Sequence, residues 1–155
     1  LHDRLGTRNM LHPKNMYLED YNCALCGETT EETILHLFWD CQFAWTCWNL
    51  VVPNKHRGTS VYDEVLFTLS KIPKDIATEV VIMWCWSIWM TRNDKIFRKI
   101  APSFGRWKAE FIHDISLMAH RMKSKHEEEL LHWIAFLASW GIPCPSSSFL
   151  FYSLA

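Results

Sequence analysis

Four side chains define the chemistry this sequence can offer. Cys23 and Cys26 are separated by two residues, His36 follows after nine more, and Cys41 after another four, a C-x2-C-x9-H-x4-C array. Thiolate sulfur and imidazole nitrogen are the donors that a tetrahedral Zn2+ ion takes. Two cysteines at this spacing reach one ion through a tight turn, and Gly27 directly behind them tolerates the positive φ such a turn needs. Four protein ligands leave no open position for water or substrate, so the expected role is structural. Buried reduced cysteines acting as small hydrophobes are the competing explanation, but spacing and ligand type together favour metal. Cys47, Cys85 and Cys144 lie in apolar or tail contexts and read as plain thiols.

Those ligands need elements to carry them. Thr29 with Glu32 forms a capping-box pattern ahead of Ile34, Leu37 and Phe38, which predicts a helix through His36. His36 and Cys41 would point about 140° apart on an ideal helix. The helix must therefore end or loosen near Asp40, with Cys41 on the bend and Ala44, Trp45 and Trp48 on a short following helix. Upstream, residues 1–20 read as a short helix (Leu1, Leu5, Met10, Leu11) halted at His12-Pro13. Residues 52–58, punctuated by Pro53, Asn54 and Gly58, read as a linker.

Beyond the linker the pattern is helical. Ser60 opens a segment lined by Val61, Val65 or Leu66, and Leu69. A long helix over about 75–99 is apolar nearly all round between residues 80 and 90, which predicts central burial. Pro102-Ser103 opens a third segment whose stripe is Trp107, Phe111, Ile115, Met118 and Met122. A fourth runs over about 126–140 and ends at Gly141 and Pro143. Sustained alternation and Asn-Gly hairpin signals are absent. The predicted class is mostly α, with a small CCHC zinc module over residues 1–52, a bundle of four helices over 59–142, and a loose tail over 143–155.

Composition sets the outer bounds. Of 155 residues, 49% are hydrophobic and 21% charged, which excludes wholesale disorder, and nine Trp with nine Phe imply an aromatic core. The longest apolar run is about half of a membrane span, so a core helix is expected and no membrane partner. No secretory leader is visible, and Leu1 in place of an initiator Met suggests a fragment or processed piece. The Cys/His spacing favours an intracellular metal site over disulfides, with nucleus or cytoplasm left open.

The stretch CALCGETTEETILHLFWDCQFAWTCW, residues 23–48, resembles the zinc-binding domain of reverse-transcriptase polyproteins in plant non-LTR retrotransposons. The shared features are the C-x2-C-G start at Cys23, Cys26 and Gly27, Glu32-Thr33, His36-Leu37-Phe38, Cys41, and Ala44 with Trp48. RLGTRNML (residues 4–11) resembles the lead-in of that family, and WSIWMTRNDKIFR (86–98) the stretch that commonly follows it. Gln42 stands where the family often has Pro, which leaves the four ligands intact. The resemblance implies a retroelement region lying beside polymerase and RNase H domains in a parent polyprotein. Neither neighbour is visible: there is no Tyr-x-Asp-Asp, and no defensible RNase H-like set of acids.

The charge distribution suggests a partner. Residues 1–91 carry seven basic against eleven acidic side chains, whereas residues 92–125 carry nine against three, a local net of +6. Arg92, Lys95, Arg98 and Lys99 form the candidate nucleic-acid face, for RNA or DNA, through electrostatic contact with phosphates. The same cations would also stabilise a helix C-terminus, an ordinary structural use. Trp84, Trp86 and Trp89 read as core, and Tyr17 and Tyr21 are the better candidates for base stacking. His113, Asp114 and His120 do not converge on one helix face, and no nucleophile elbow, P-loop or dinucleotide fingerprint is present. No enzyme is therefore expected. The leading expectation is a non-catalytic, structural-zinc accessory region that binds nucleic acid. Its rivals are an interaction or spacer module packing on a lost neighbouring domain, and the remnant of a decayed element.

Overall fold

A computed structural model describes residues 6–53, 55 and 57–139 of the chain. The predicted end of the last helix at Gly141 and Pro143, the tail, Cys144, and the leading Leu1 and Leu5 lie outside the described residues. Among the described residues, six α-helices follow in order: α1 (Arg8–Leu11), α2 (Gln42–Trp48), α3 (Val61–Leu69), α4 (Ala77–Phe97), α5 (Phe104–Ala119) and α6 (Ser124–Ser139). A 3-10 turn (His12–Lys14) extends α1, and a π-helical turn (His36–Asp40) precedes α2. Helix α1 ends at Leu11, directly before His12-Pro13, and Pro13 is accommodated in the first turn of the 3-10 segment that follows. No strand occurs among the described residues; the nearest thing is an isolated antiparallel bridge between Asn22 and Glu31.

The helix starts follow their side chains. Ser60 Oγ accepts from the Asp63 N–H at 3.1 Å to begin α3, and Ser103 Oγ accepts from the Arg106 N–H at 3.4 Å to begin α5. The α5 stripe buries Trp107, Phe111 and Ile115 as its spacing predicts, but the next buried position is Ala119, and Met118 and Met122 are only partly covered. In α3, Leu66 turns to solvent, and Glu64 with Thr68 holds the buried positions. Helix α4 packs against α3 and α5, α6 lies on the far side of α5, and α2 with the π-helical turn covers the remaining flank of α4 and α5. Helices α4 and α5 are thus the hub.

Stacked indoles join the N-terminal region to that hub. Trp39 stacks on Trp48 (6.5 Å), Trp48 on Trp84 (4.8 Å), and Trp84 meets Trp107 (4.7 Å) and Phe111 (4.6 Å) edge-on. One hydrophobic core therefore runs from Cys23 to Leu137. Offset and edge-to-face contacts of this kind add to the area the rings already bury. Two expectations fail here. Helix α4 is not buried on all sides, since Ile82, Trp86 and Met90 form an exposed stripe, and Trp86, 51% exposed, is not a core residue. The segment read as a linker is anchored at its described residues Lys55 and Arg57. Lys55 forms a fully buried ion pair with Glu64, and Lys55 and Arg57 both lie over the Trp45 ring, at 5.1 and 5.6 Å. A buried ammonium must be paired, so this crossing is tied to α3 and to α2.

Trp84 sits where the indole contacts meet, and its N–H has no hydrogen-bond partner. Trp84→Ala is expected to cost about 3–5 kcal/mol by chemical denaturation. Trp84→Phe should cost clearly less, because the same change removes an unpartnered buried donor.

Candidate metal centre

Cys23, Cys26, His36 and Cys41 converge so that their ligand atoms all lie within 4.8 Å of one another. Three come from compact local devices. Gly27 takes φ +70 directly after Cys26, closing the C-x2-C turn. The backbone N–H groups of Cys26 and Glu28 point at the sulfurs of Cys23 and Cys26 and favour their thiolates. Cys41 lies at the N-cap of α2, where the Phe43 and Ala44 N–H groups face its sulfur.

The π-helical turn solves the geometric problem of the second pair. The Cys41 N–H donates to the His36 carbonyl at 2.6 Å, an i to i+5 bond that widens the turn. Residues five apart then return to one side of the axis instead of splaying apart. The backbone breaks at Cys41, with φ −57 and ψ 134, and α2 begins at Gln42. The opening of this turn differs from the expected capping box. Thr33 Oγ1 accepts from the His36 N–H at 3.0 Å, and Glu32 is elsewhere engaged.

The donor set fits zinc in its dimensions as well as its chemistry. Tetrahedral Zn–S bonds of about 2.3 Å place sulfurs about 3.8 Å apart, and a sulfur and an imidazole nitrogen about 3.5 Å apart. Cys23 Sγ and Cys41 Sγ are 3.8 Å apart, and Cys26 Sγ and His36 Nε2 are 3.4 Å apart. The same contacts set the proton inventory. A hydrogen bond to Cys41 and burial push Cys23 up to about 12, while that bond lowers Cys41. Burial raises Cys26, and a hydrogen bond with Cys23 raises His36. Zinc takes thiolates and neutral imidazole, so loading must expel these protons. Cys47 and Cys85 are held protonated by burial, Cys85 at about 12, which suits plain core thiols.

Glu32 is the residue the sequence pattern misassigns. Its fully buried carboxylate accepts from the Ala24 N–H inside the cysteine turn (3.3 Å) and from the Arg8 N–H (3.0 Å). It also accepts from Arg92 Nε (3.1 Å) and a terminal guanidinium nitrogen (2.6 Å). Arg92 in turn donates to the Gly6 carbonyl (3.3 Å) and to Asn93 Oδ1 (3.0 Å), and lies over Trp89 (4.8 Å). Arg92 is therefore withdrawn from the expected nucleic-acid face. It joins the metal turn to α4. The signal was its fourfold spacing from Trp84 and Ile88, which puts it on the buried side of the helix. Lys95, Arg98 and Lys99 do reach solvent, with Arg98 held near Asp94 at 3.3 Å. Tyr17 is 75% exposed, and Tyr21 is partly covered.

Two outcomes test the centre. Purified chain should carry one zinc by elemental analysis, and Cys26→Ser should lose metal and helical circular dichroism together. Retention of both would refute the centre as drawn. Arg92→Ala should destabilise the fold by about 3–5 kcal/mol, because it leaves the Glu32 carboxylate buried and unpaired.

Comparison with known sequences and folds agrees with the geometry in one respect and is silent in others. No curated protein and no solved structure matches the chain. Residues 1–48, which hold all four metal-binding side chains and Glu32, match the family described as zinc-binding in reverse transcriptase.

Proposed function

We propose that this chain is a non-catalytic, zinc-organised accessory region of a retrotransposon-type reverse transcriptase protein, and that it holds nucleic acid for a neighbouring polymerase or RNase H domain. The observation that carries the reading is the Cys23, Cys26, His36, Cys41 cluster inside the segment that matches the reverse-transcriptase family. Its four donors fill a tetrahedral shell, so the metal supplies fold rather than chemistry. The plant, non-LTR character rests on the motif resemblance at residues 23–48 and 86–98.

Nucleic-acid contact is assigned to Lys95, Arg98 and Lys99 at the C-terminal end of α4. All three are exposed, and cations grouped this way attract phosphates without sequence preference. A second reading is favoured by one observation, the solvent-facing stripe of Ile82, Trp86 and Met90 on α4. Such a face suits packing against a neighbouring protein domain. Among the described residues no helix is long and apolar enough to cross a membrane.

Fluorescence anisotropy of zinc-loaded protein with labelled RNA, DNA and hybrid at two salt concentrations separates the readings. Accessory binding predicts affinity that falls steeply with salt, and a slope that flattens in a Lys95→Ala/Arg98→Ala/Lys99→Ala variant. Absence of binding at low salt, with salt-insensitive self-association in sedimentation, would replace it with the interaction module. Arg92 is left intact in this test because its loss would destabilise the scaffold.

A further inference from the structure

We propose that the cleft between residues 16–20 and the C-terminal end of α4 receives a base of single-stranded nucleic acid, stacked against Tyr17 and Phe97. The inference rests on the nucleic-acid reading above and adds a second, non-electrostatic contact to it. The cleft has a volume of about 670 Å³, and its walls include Leu11, Met16, Tyr17, Leu18, Ile96 and Phe97. That is within the size range of small-ligand sites and ample for one nucleoside.

Its two aromatic walls are unusual in being left bare. Tyr17 is 75% exposed and Phe97 74%, and both line the same opening. The Tyr17 wall is nevertheless built, not loose. His12 packs edge-on against Tyr17 (5.6 Å) and Tyr21 (5.8 Å), and Tyr21 Oη accepts from the Leu18 N–H at 3.1 Å. The Met16 N–H returns to the Leu11 carbonyl at 3.0 Å, and Arg8 bonds the Asp20 carboxylate at 3.1 Å and the Asn22 carbonyl at 2.8 Å. A preset ring loses little freedom when a base stacks on it.

The charges dictate which part of a nucleotide enters. Two acids, Glu19 and Asp20, and two arginines, Arg8 and Arg92, line the cleft. Arg8 is paired with Asp20 and Arg92 with Glu32, so both arginines are already engaged and Glu19 weighs against a phosphate in this interior. Lys95, Arg98 and Lys99 stand exposed at the same helix end as Phe97 and can hold phosphates outside it. The arrangement therefore suits base inward and backbone outward. An apolar peptide would fill the cleft equally well but would leave the three cations unused. A duplex keeps its bases stacked on one another and cannot offer one, so the expected ligand is a single strand.

The test uses zinc-loaded chain with short labelled oligoadenylate as DNA and as RNA, and a blunt duplex of the same length. Tyr17→Ala and Phe97→Ala should each weaken single-strand binding roughly 5- to 100-fold. Their salt slope and duplex binding should stay unchanged. Tyr17→Trp should restore affinity, and zinc content with the melting curve should confirm that these exposed positions do not alter the fold. If the aromatic variants bind single strands as tightly as wild type while the Lys95→Ala/Arg98→Ala/Lys99→Ala variant is weakened, the cleft assignment falls and the electrostatic reading stands. Equal loss on single strand and duplex would also overturn base stacking. If no nucleic acid binds at low salt, both readings fail, and salt-insensitive capture of an apolar peptide that both aromatic variants lose would make the cleft a protein groove.

Discussion

One buried carboxylate holds the N-terminal metal region and the long helix α4 in register. Glu32 receives the Ala24 N–H from within the cysteine turn, the Arg8 N–H from the first helix, and the Arg92 guanidinium from the long helix α4. A charge taken this far out of water is tolerable only with a partner and with its remaining lone pairs filled, and Glu32 has both. Such a pair adds little net stability over apolar packing of the same volume. It does make alternative arrangements expensive, because any shift of α4 against the metal turn strands two charges. This ion pair thus fixes the metal region against the hub helix, together with the stack of Trp48 on Trp84.

The metal and the indole ladder act on the same boundary from either side. Residues 23–48 supply few buried aliphatic groups of their own, and a region this small gains its order from a bound ion. Their aromatic members, Trp39 and Trp48, point instead into the shared core, where Trp48 stacks on Trp84 of α4. The Trp48 N–H donates to the Phe38 carbonyl at 2.7 Å, which fixes α2 against the π-helical turn that carries His36. Metal ligation, π-turn and indole stacking are consequently one cooperative unit, and the helices behind them behave as its support. The buried pair of Lys55 and Glu64 closes this unit on the other edge, where α2 passes into α3.

The long helix divides its surface among separate tasks. One side carries Val80, Trp84, Ile88 and Arg92 into the core and the metal region. Another leaves Ile82, Trp86 and Met90 in water. Its end presents Lys95, Arg98 and Lys99 beside a cleft lined by Tyr17 and Phe97. The three sides of α4 thus differ in chemistry: one buried, one apolar and exposed, and an end that is basic and aromatic.

What the sequence by itself determined was local. The C-x2-C turn with Gly27, the need for a break at Cys41, the Ser60 and Ser103 helix starts and the α5 stripe all follow from spacing of a few residues, and backbone geometry enforces spacing at that range. What only the tertiary structure decided was the use of side chains whose partners are distant in the chain. Glu32 has a capping-box signature, yet its partner lies sixty residues away. Arg92 belongs to a basic run by sequence, yet its position on the buried face gives it to Glu32. Lys55 sits in a segment punctuated like a linker, yet Glu64 draws it inside. Trp86 and Trp84 look alike in an apolar run, and only the packing of α5 and α2 against one side of α4 separates the exposed ring from the buried one. Long-range pairing of charges is invisible to local pattern because desolvation depends on what else is packed there, and that is settled only when the chain has closed on itself.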